Sequence, residues 1–176
     1  MFIMKELLKL ARLALESRFN GREIKVSDEI KKKFGKKGAC FVTLTKDGDL
    51  RGCIGSLEAH QPLYQDVIDN AINAGFHDYR FEPLEENELD EIKIEVSVLS
   101  AAKKLGIGKE VFNKIDKKMG IILKSFGYSA TFLPQVWEQI PDKKIFLEEL
   151  SMKAGLDREA WRDSDVWFYR VESVEE

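Results

Sequence analysis

The chain has 176 residues, 44% of them hydrophobic and 34% charged, with four prolines, which excludes a disordered or fibrous protein and is enough for one folded domain. Acidic side chains outnumber basic ones, 31 to 28, so no bulk charge draws the chain to a phosphate backbone, and nucleic acid is not an expected partner. Two cysteines with no Cys-x-x-Cys or His-x-x-x-His spacing rule out a disulfide framework; a cytoplasmic protein with no metal site and no cofactor is expected.

In chain order, Leu7, Leu10, Ala14 and Leu15 fall on one face of an N-terminal helix that Gly21 ends. Residues 1–15 are only briefly apolar before Lys5 and Glu6, which predicts neither a signal peptide nor a membrane span. A short second helix begins at Ser27, with Asp28 and Glu29 at its positive end, and stops at Gly35. The lysines at 31, 32, 33, 36 and 37 read as a solvated face that complements the dipole at the helix end.

Residues 39–45 and 50–56 flank Lys46-Asp47-Gly48-Asp49, a tight-turn signature, and predict a hairpin. An unbroken register sets Thr45 opposite Leu50, Leu44 opposite Arg51, Val42 opposite Cys53 and Phe41 opposite Ile54. In that register Arg51 and Cys53 share a face away from Leu50 and Ile54, and Cys40 shares the Cys53 face, too far off for a disulfide. Pro62 suits the start of a helix to about Ala74 with Leu63, Val67, Ala71 and Ala74 inward. The aromatic and charged stretch 76–84 is expected to pack against the hairpin.

Ile92, Ile94, Val96 and Val98 alternate with Lys93, Glu95, Ser97 and Leu99, the clearest half-buried strand, whose polar face is free to line a cleft. Residues 119–124 and 128–133 form a second hairpin stopped by Pro134, residues 142–154 a helix, and residues 166–171 a last strand. Hairpins and isolated helices in this order predict an α+β protein, a mainly antiparallel sheet flanked by helices, over a single domain of 1–176.

The run Leu50-Arg51-Gly52-Cys53-Ile54-Gly55 carries the most chemistry. Cys53 is a candidate nucleophile if a nearby cation or helix N-terminus favours the thiolate; the other reading is a packed strand cysteine. His60 and His77 stand in no recognised Cys/His arrangement. Gly52 and Gly55 mark either a ligand's approach to the backbone or a bulge or close packing. Arg51 and Arg80 offer forks for a carboxylate or phosphate, with Asp78 and Glu95 as polar company; a structural ion-pair network is the alternative.

These motifs resemble the AMMECR domain family, called AmmeMemoRadiSam system protein A in prokaryotes. The resemblance is carried by 50–55, by Asp78-Tyr79-Arg80-Phe81-Glu82-Pro83-Leu84, by Ile94-Glu95-Val96-Ser97-Val98-Leu99, by Leu133-Pro134-Gln135-Val136-Trp137, and by Lys153-Ala154-Gly155-Leu156 with Ala160-Trp161-Arg162. It implies a larger and a smaller subdomain meeting at a cleft, with the arginine-glycine-cysteine segment as signature, and no settled activity. Relatives beside or fused to Memo-like and radical S-adenosylmethionine proteins imply a shared pathway. Tyr79 and Glu82 depart from prolines usual in that loop, and Ser151 stands where a cysteine is frequent.

The expected function is that of a small-ligand-binding or accessory protein, holding a small anionic molecule or a protein segment. Its candidate binding residues are Arg51, Gly52, Gly55, Asp78, Arg80, Glu95 and Gln135. The alternative is a cysteine-dependent enzyme with Cys53 as nucleophile and Glu95 or Asp78 moving protons.

Overall fold

The computed structural model describes residues 2–176, with side chains from residue 4 onward. The architecture is α+β, in two compact units: Met1–Leu99 with Glu172–Glu176, and Ser100–Val171.

Unit 1 begins with α1 (Phe2–Asn20), which Gly21 closes at a φ of +65°, a backbone region that side-chain-bearing residues avoid. In α2 (Asp28–Phe34) the Ser27 side chain accepts the Ile30 amide, and three lysines occupy the last turn, both complementing the free groups and dipole of the helix ends. The strands β1 (Lys37–Lys46) and β2 (Asp49–Gly55) form the first hairpin around Asp47 and Gly48, both at positive φ. The bridge β3 (Gln61–Pro62) pairs with the start of β1 and leads into α3 (Leu63–Phe76). A short 3-10 turn, Glu86–Glu88, precedes β4 (Ile92–Leu99).

The sheet runs β2-β1-β4, with β1 antiparallel to both neighbours. One face carries the helices. Cys40, Val42 and Leu44 of β1 and Ile92, Ile94 and Val96 of β4 join α1 and α3 in one apolar core. Burying a side chain of this size stabilises by about 1.5–3 kcal/mol before entropy is subtracted.

Unit 2 holds β5 (Lys103–Ile107), α4 (Gly108–Val111), β6 (Gly120–Ser125), β7 (Tyr128–Phe132), α5 (Val136–Gln139), α6 (Lys143–Lys153) and β8 (Asp165–Tyr169). Its sheet order is β5-β8-β6-β7. Phe146, Leu147 and Leu150 of α6 are fully buried, and Phe146 stacks on Trp137 at 3.5 Å with Phe132 edge-on to it. The chain then returns to unit 1 as β9 (Val171–Glu175), the neighbour of β4.

Three expectations need correction. The single strand at 166–171 is two strands, because β8 ends where the Ser100 amide donates to the Arg170 carbonyl and the Arg170 amide donates to the Ser100 hydroxyl, and β9 belongs to the other sheet. The strand β5 and the short helices α4 and α5 went unread, since each is too short to show a period. The first hairpin's register is broken, with consequences for Cys53. No helix among the described residues is long and apolar enough to cross a membrane.

Candidate functional site

Thr45 faces Leu50 as the turn dictates, but Leu44 then faces Gly52, Thr43 faces Cys53, Val42 faces Ile54 and Phe41 faces Gly55. Arg51 is the extra residue of a β-bulge. The unbroken register would have set Cys53 beside Val42 and the core; one additional residue restores Gly52 and Ile54 to that face and turns Cys53 to the other. Cys40, buried in the core, therefore lies on the face opposite Cys53, not on the same one, and both thiols are free. Leu50, across from Thr45, lies on the Cys53 face, not opposite it.

Packing fills the space beside both glycines. A Cβ at Gly52 would stand 2.1 Å from the Ala74 carbonyl oxygen of α3, and one at Gly55 would stand 2.3 Å from the Phe41 ring. Gly52 lets a helix press on the hairpin, and Gly55 makes room for an aromatic ring.

The strand β2 lies at the sheet edge, and the 76–84 segment docks there as expected. The Cys53 amide donates to Asp78 Oδ2 at 2.9 Å, while Arg80 Nη2 donates to the Cys53 carbonyl at 3.2 Å and to Asp78 Oδ2 at 2.7 Å. Asp78 Oδ1 also accepts the Arg80 Nε at 2.9 Å. The Asp78 side chain is 1% exposed, and its pairing with Arg80 holds the carboxyl well below the usual range despite burial. This ion pair thus satisfies both backbone groups of the residue carrying the thiol.

Arg51 is anchored separately. Its Nε and Nη2 grip Glu88 at 2.9 and 2.7 Å, and its remaining contacts go to the carbonyls of Glu82 and Pro83 at 3.0 and 3.4 Å. Arg51 lowers the Glu88 carboxyl to about 2, with the Glu85 amide and Lys46 assisting. The arginines expected to greet an anion are occupied in holding a loop to the hairpin.

On the helix-free face a polar strip crosses unit 1. Cys53 Sγ lies 3.3 Å from the Thr43 hydroxyl, and Thr43 faces Glu95 across β1 and β4. The Ser97 hydroxyl donates to Glu95 at 2.8 Å and lies 2.7 Å from Ser173 on β9. Of the expected residues, Cys53 and Glu95 share this strip, Arg51, Asp78 and Arg80 form its frame, and Gln135 lies exposed at the start of α5 in unit 2.

Sequence reasoning missed Thr43, Ser173 and Glu88. Thr43 alternates with Val42 and Leu44 and was recoverable from period two once the bulge is known; nothing local separates Glu88 from its acidic neighbours. It also missed Asp66, fully buried, which accepts bonds from the Cys40 amide, Ser56, Gln61 and Asn70. That knot fastens the end of the hairpin to α3. Burial raises the Cys40 thiol strongly and Asp66 adds to the rise, leaving it inert. His60 and His77 are exposed. Ser151, in α6, donates to the Leu147 carbonyl and accepts the Trp161 amide, a structural use of its hydroxyl.

The chain is similar to proteins of known sequence and structure along nearly its whole length. Protein NEQ441 of Nanoarchaeum equitans is 40% identical over 97% of this chain and 98% of its own. A protein of Aquifex aeolicus is 32% identical over 94% of this chain and 87% of its own. The crystal structure of PH0010, an uncharacterized protein from Pyrococcus horikoshii, matches with a TM-score of 0.83 at 33% identity, covering 99% of this chain and 91% of that one. The AMMECR1 family model matches residues 8–175, and the chain belongs to the AMMECR1 family.

Proposed function

We propose that this protein binds a small polar ligand on the helix-free face of the five-stranded sheet, with Cys53, Thr43 and Glu95 as the contacting residues. The observation that carries this reading is the polar strip itself, in line across three strands on a frame held by two ion pairs. A sheet face with no binding role is ordinarily either covered by apolar packing or studded with long solvated charges; thiol, hydroxyls and one carboxylate are the chemistry of selective contact. Because Arg51 spends its donors on Glu88 and on the carbonyls of Glu82 and Pro83 and the strip itself carries the Glu95 carboxylate, the ligand is one that donates hydrogen bonds to Glu95. Action beside Memo-like and radical S-adenosylmethionine proteins is part of the proposal.

A thermal-shift screen of a metabolite library against parent, Thr43→Val and Glu95→Ala proteins tests it. Compounds that raise the parent's midpoint and leave both variants unmoved are expected; equal shifts in all three would remove the assignment.

A second reading, a cysteine-dependent enzyme, is favoured by the Thr43 hydroxyl, which is placed to donate to a Cys53 thiolate. It requires Cys53 to alkylate faster than a free thiol, with Thr43→Val slowing it. Alkylation at the free-thiol rate between about pH 5 and 9, which brackets the ordinary cysteine range, would dismiss it.

A further inference from the structure

Unit 2 has a cavity of its own, about 270 Å³ in volume, lined by Lys109, Phe112, Asn113, Lys144, Trp161 and Arg162. Lys109 lies on α4, with Phe112 and Asn113 in the turn that follows, Lys144 is in the first turn of α6, and Trp161 and Arg162 belong to the 3-10 turn Ala160–Asp163. Tight packing fixes these pieces. A Cβ at Gly108 would stand 1.9 Å from the Trp161 carbonyl oxygen, so a glycine there lets α4 close on the turn, and the Ser151 hydroxyl accepts the Trp161 amide at 3.1 Å. Trp161 is buried, its ring centre 5.5 Å from that of Phe112 and 4.9 Å from the Arg162 guanidinium.

Three cations thus meet at a cavity whose lining holds no carboxylate. Their donors are not used up as those of Arg51 are. Arg162 commits its Nε to Glu159, and neither of its Nη atoms has a hydrogen-bond partner among the described residues. Lys144 stands 3.4 Å from Glu148 and 3.8 Å from Glu159, beyond the length of a charge-assisted hydrogen bond. Lys109 gives one bond to Asp163 at 2.6 Å and keeps two N–H groups. Asp163 and Glu159 are themselves exposed, 77% and 51%, and exposed pairs of this kind hold weakly, so a better-placed anion can replace them. The buried indole N–H of Trp161 also meets no acceptor among the described residues. Basic side chains outnumber acidic ones in unit 2, the reverse of unit 1, and an excess of one sign draws ligands of the other.

We propose that this cavity binds a small organic phosphate, with the phosphate held by Arg162, Lys144 and Lys109 and the apolar body laid against Phe112. A guanidinium with both terminal nitrogens open matches two phosphate oxygens, and two ammonium groups balance the second charge, which a carboxylate lacks. The volume lies at the lower end of ligand pockets, room for one ring with its phosphate and not for a dinucleotide. The site lies wholly within unit 2, so it stands apart from the ligand reading for the sheet face of unit 1, and either can fail without the other.

Titration of the whole 15N-labelled chain with phenyl phosphate, followed by amide and indole NMR shifts at about pH 7.5, where a phosphate monoester carries close to two charges, tests it. Saturable shifts confined to residues 108–114, 143–148 and 160–163 and to the Trp161 indole are expected. Arg162→Ala and Lys144→Ala, both altered at exposed positions that leave the fold intact, should each weaken binding by about tenfold or more, the loss of one charge-assisted hydrogen bond, while Lys117→Ala, an exposed lysine of the same unit outside the lining, should leave it unchanged. Inorganic phosphate and benzoate, titrated alone, should each bind more weakly than phenyl phosphate. No saturable shift in the millimolar range, shifts spread over both units, or equal weakening by Lys117→Ala overturns the site; benzoate or inorganic phosphate binding as tightly as phenyl phosphate overturns the ligand class.

Discussion

Arg51 shows how far a residue's chemistry can be legible while its use is not. Its fork was recognisable as a carboxylate binder, and it does bind one, but the carboxylate is Glu88 of the same chain. Nothing in the segment from 82 to 91, which holds Glu82, Glu85, Glu86, Glu88 and Glu91, identifies which acid folds back; only the path of the loop decides. Because both side chains are mostly buried, 16% and 11% exposed, Arg51→Ala is expected to cost about 2 kcal/mol, the range of a charged hydrogen-bonded pair. Urea unfolding would measure it. The pair also sets a pH dependence. Glu88 sits at about 2 in the folded protein, below its ordinary 4.5, so the unfolded chain takes up its proton first. The stabilisation is complete above about pH 5 and disappears as pH falls toward 2. Glu88→Gln should therefore lower the urea midpoint at pH 7 while flattening its decline between pH 5 and 3, and an unchanged slope would refute the assignment.

Among the elements, those with strong periods or clear punctuation were legible: α1 with its glycine stop, α2 with its serine cap, the alternating β4, and α6 with Asp142 accepting the Ile145 amide at its start. The hairpin was legible in kind and not in register, because a bulge leaves no mark in composition. The face of Cys53 depended on that single residue. For Gly52 the sequence left a ligand's approach and close packing both open, and the structure shows close packing, with α3 pressed against it. A methyl group there meets a backbone carbonyl that cannot rotate away, so Gly52→Ala is expected to destabilise by about 2–3 kcal/mol, as overpacking does, and to loosen α3 from β2. Hydrogen exchange at the α3 amides would report it; a variant as stable as the parent would mean that the helix has room to shift.

For the whole molecule, each unit has its own apolar core, one built on β1, β4, α1 and α3 and one on Phe146, Trp137 and Ile121. Phe146→Ala should cost about 3–5 kcal/mol, the cost of emptying a buried aromatic site. The loss is expected in the exchange rates of unit 2, with the amides of β1 and β4 retaining their protection; equal loss in both would show a single cooperative structure. A larger and a smaller subdomain were implied by the family resemblance, but their boundaries were not legible, because the chain passes between the units without a proline, glycine or serine-rich linker. Their order along the chain has a consequence for synthesis. The strand β9, whose neighbour is β4, follows all of unit 2 in the chain, and Glu176 beyond it accepts the Ile94 amide and meets Arg12 of α1. Domains generally form as the ribosome releases them, from the N-terminus onward. Here the first part made waits for the last: unit 2, although encoded later, emerges whole while the older sheet still lacks a strand, and a nascent chain halted at residue 171 would carry a finished insert within an unfinished host.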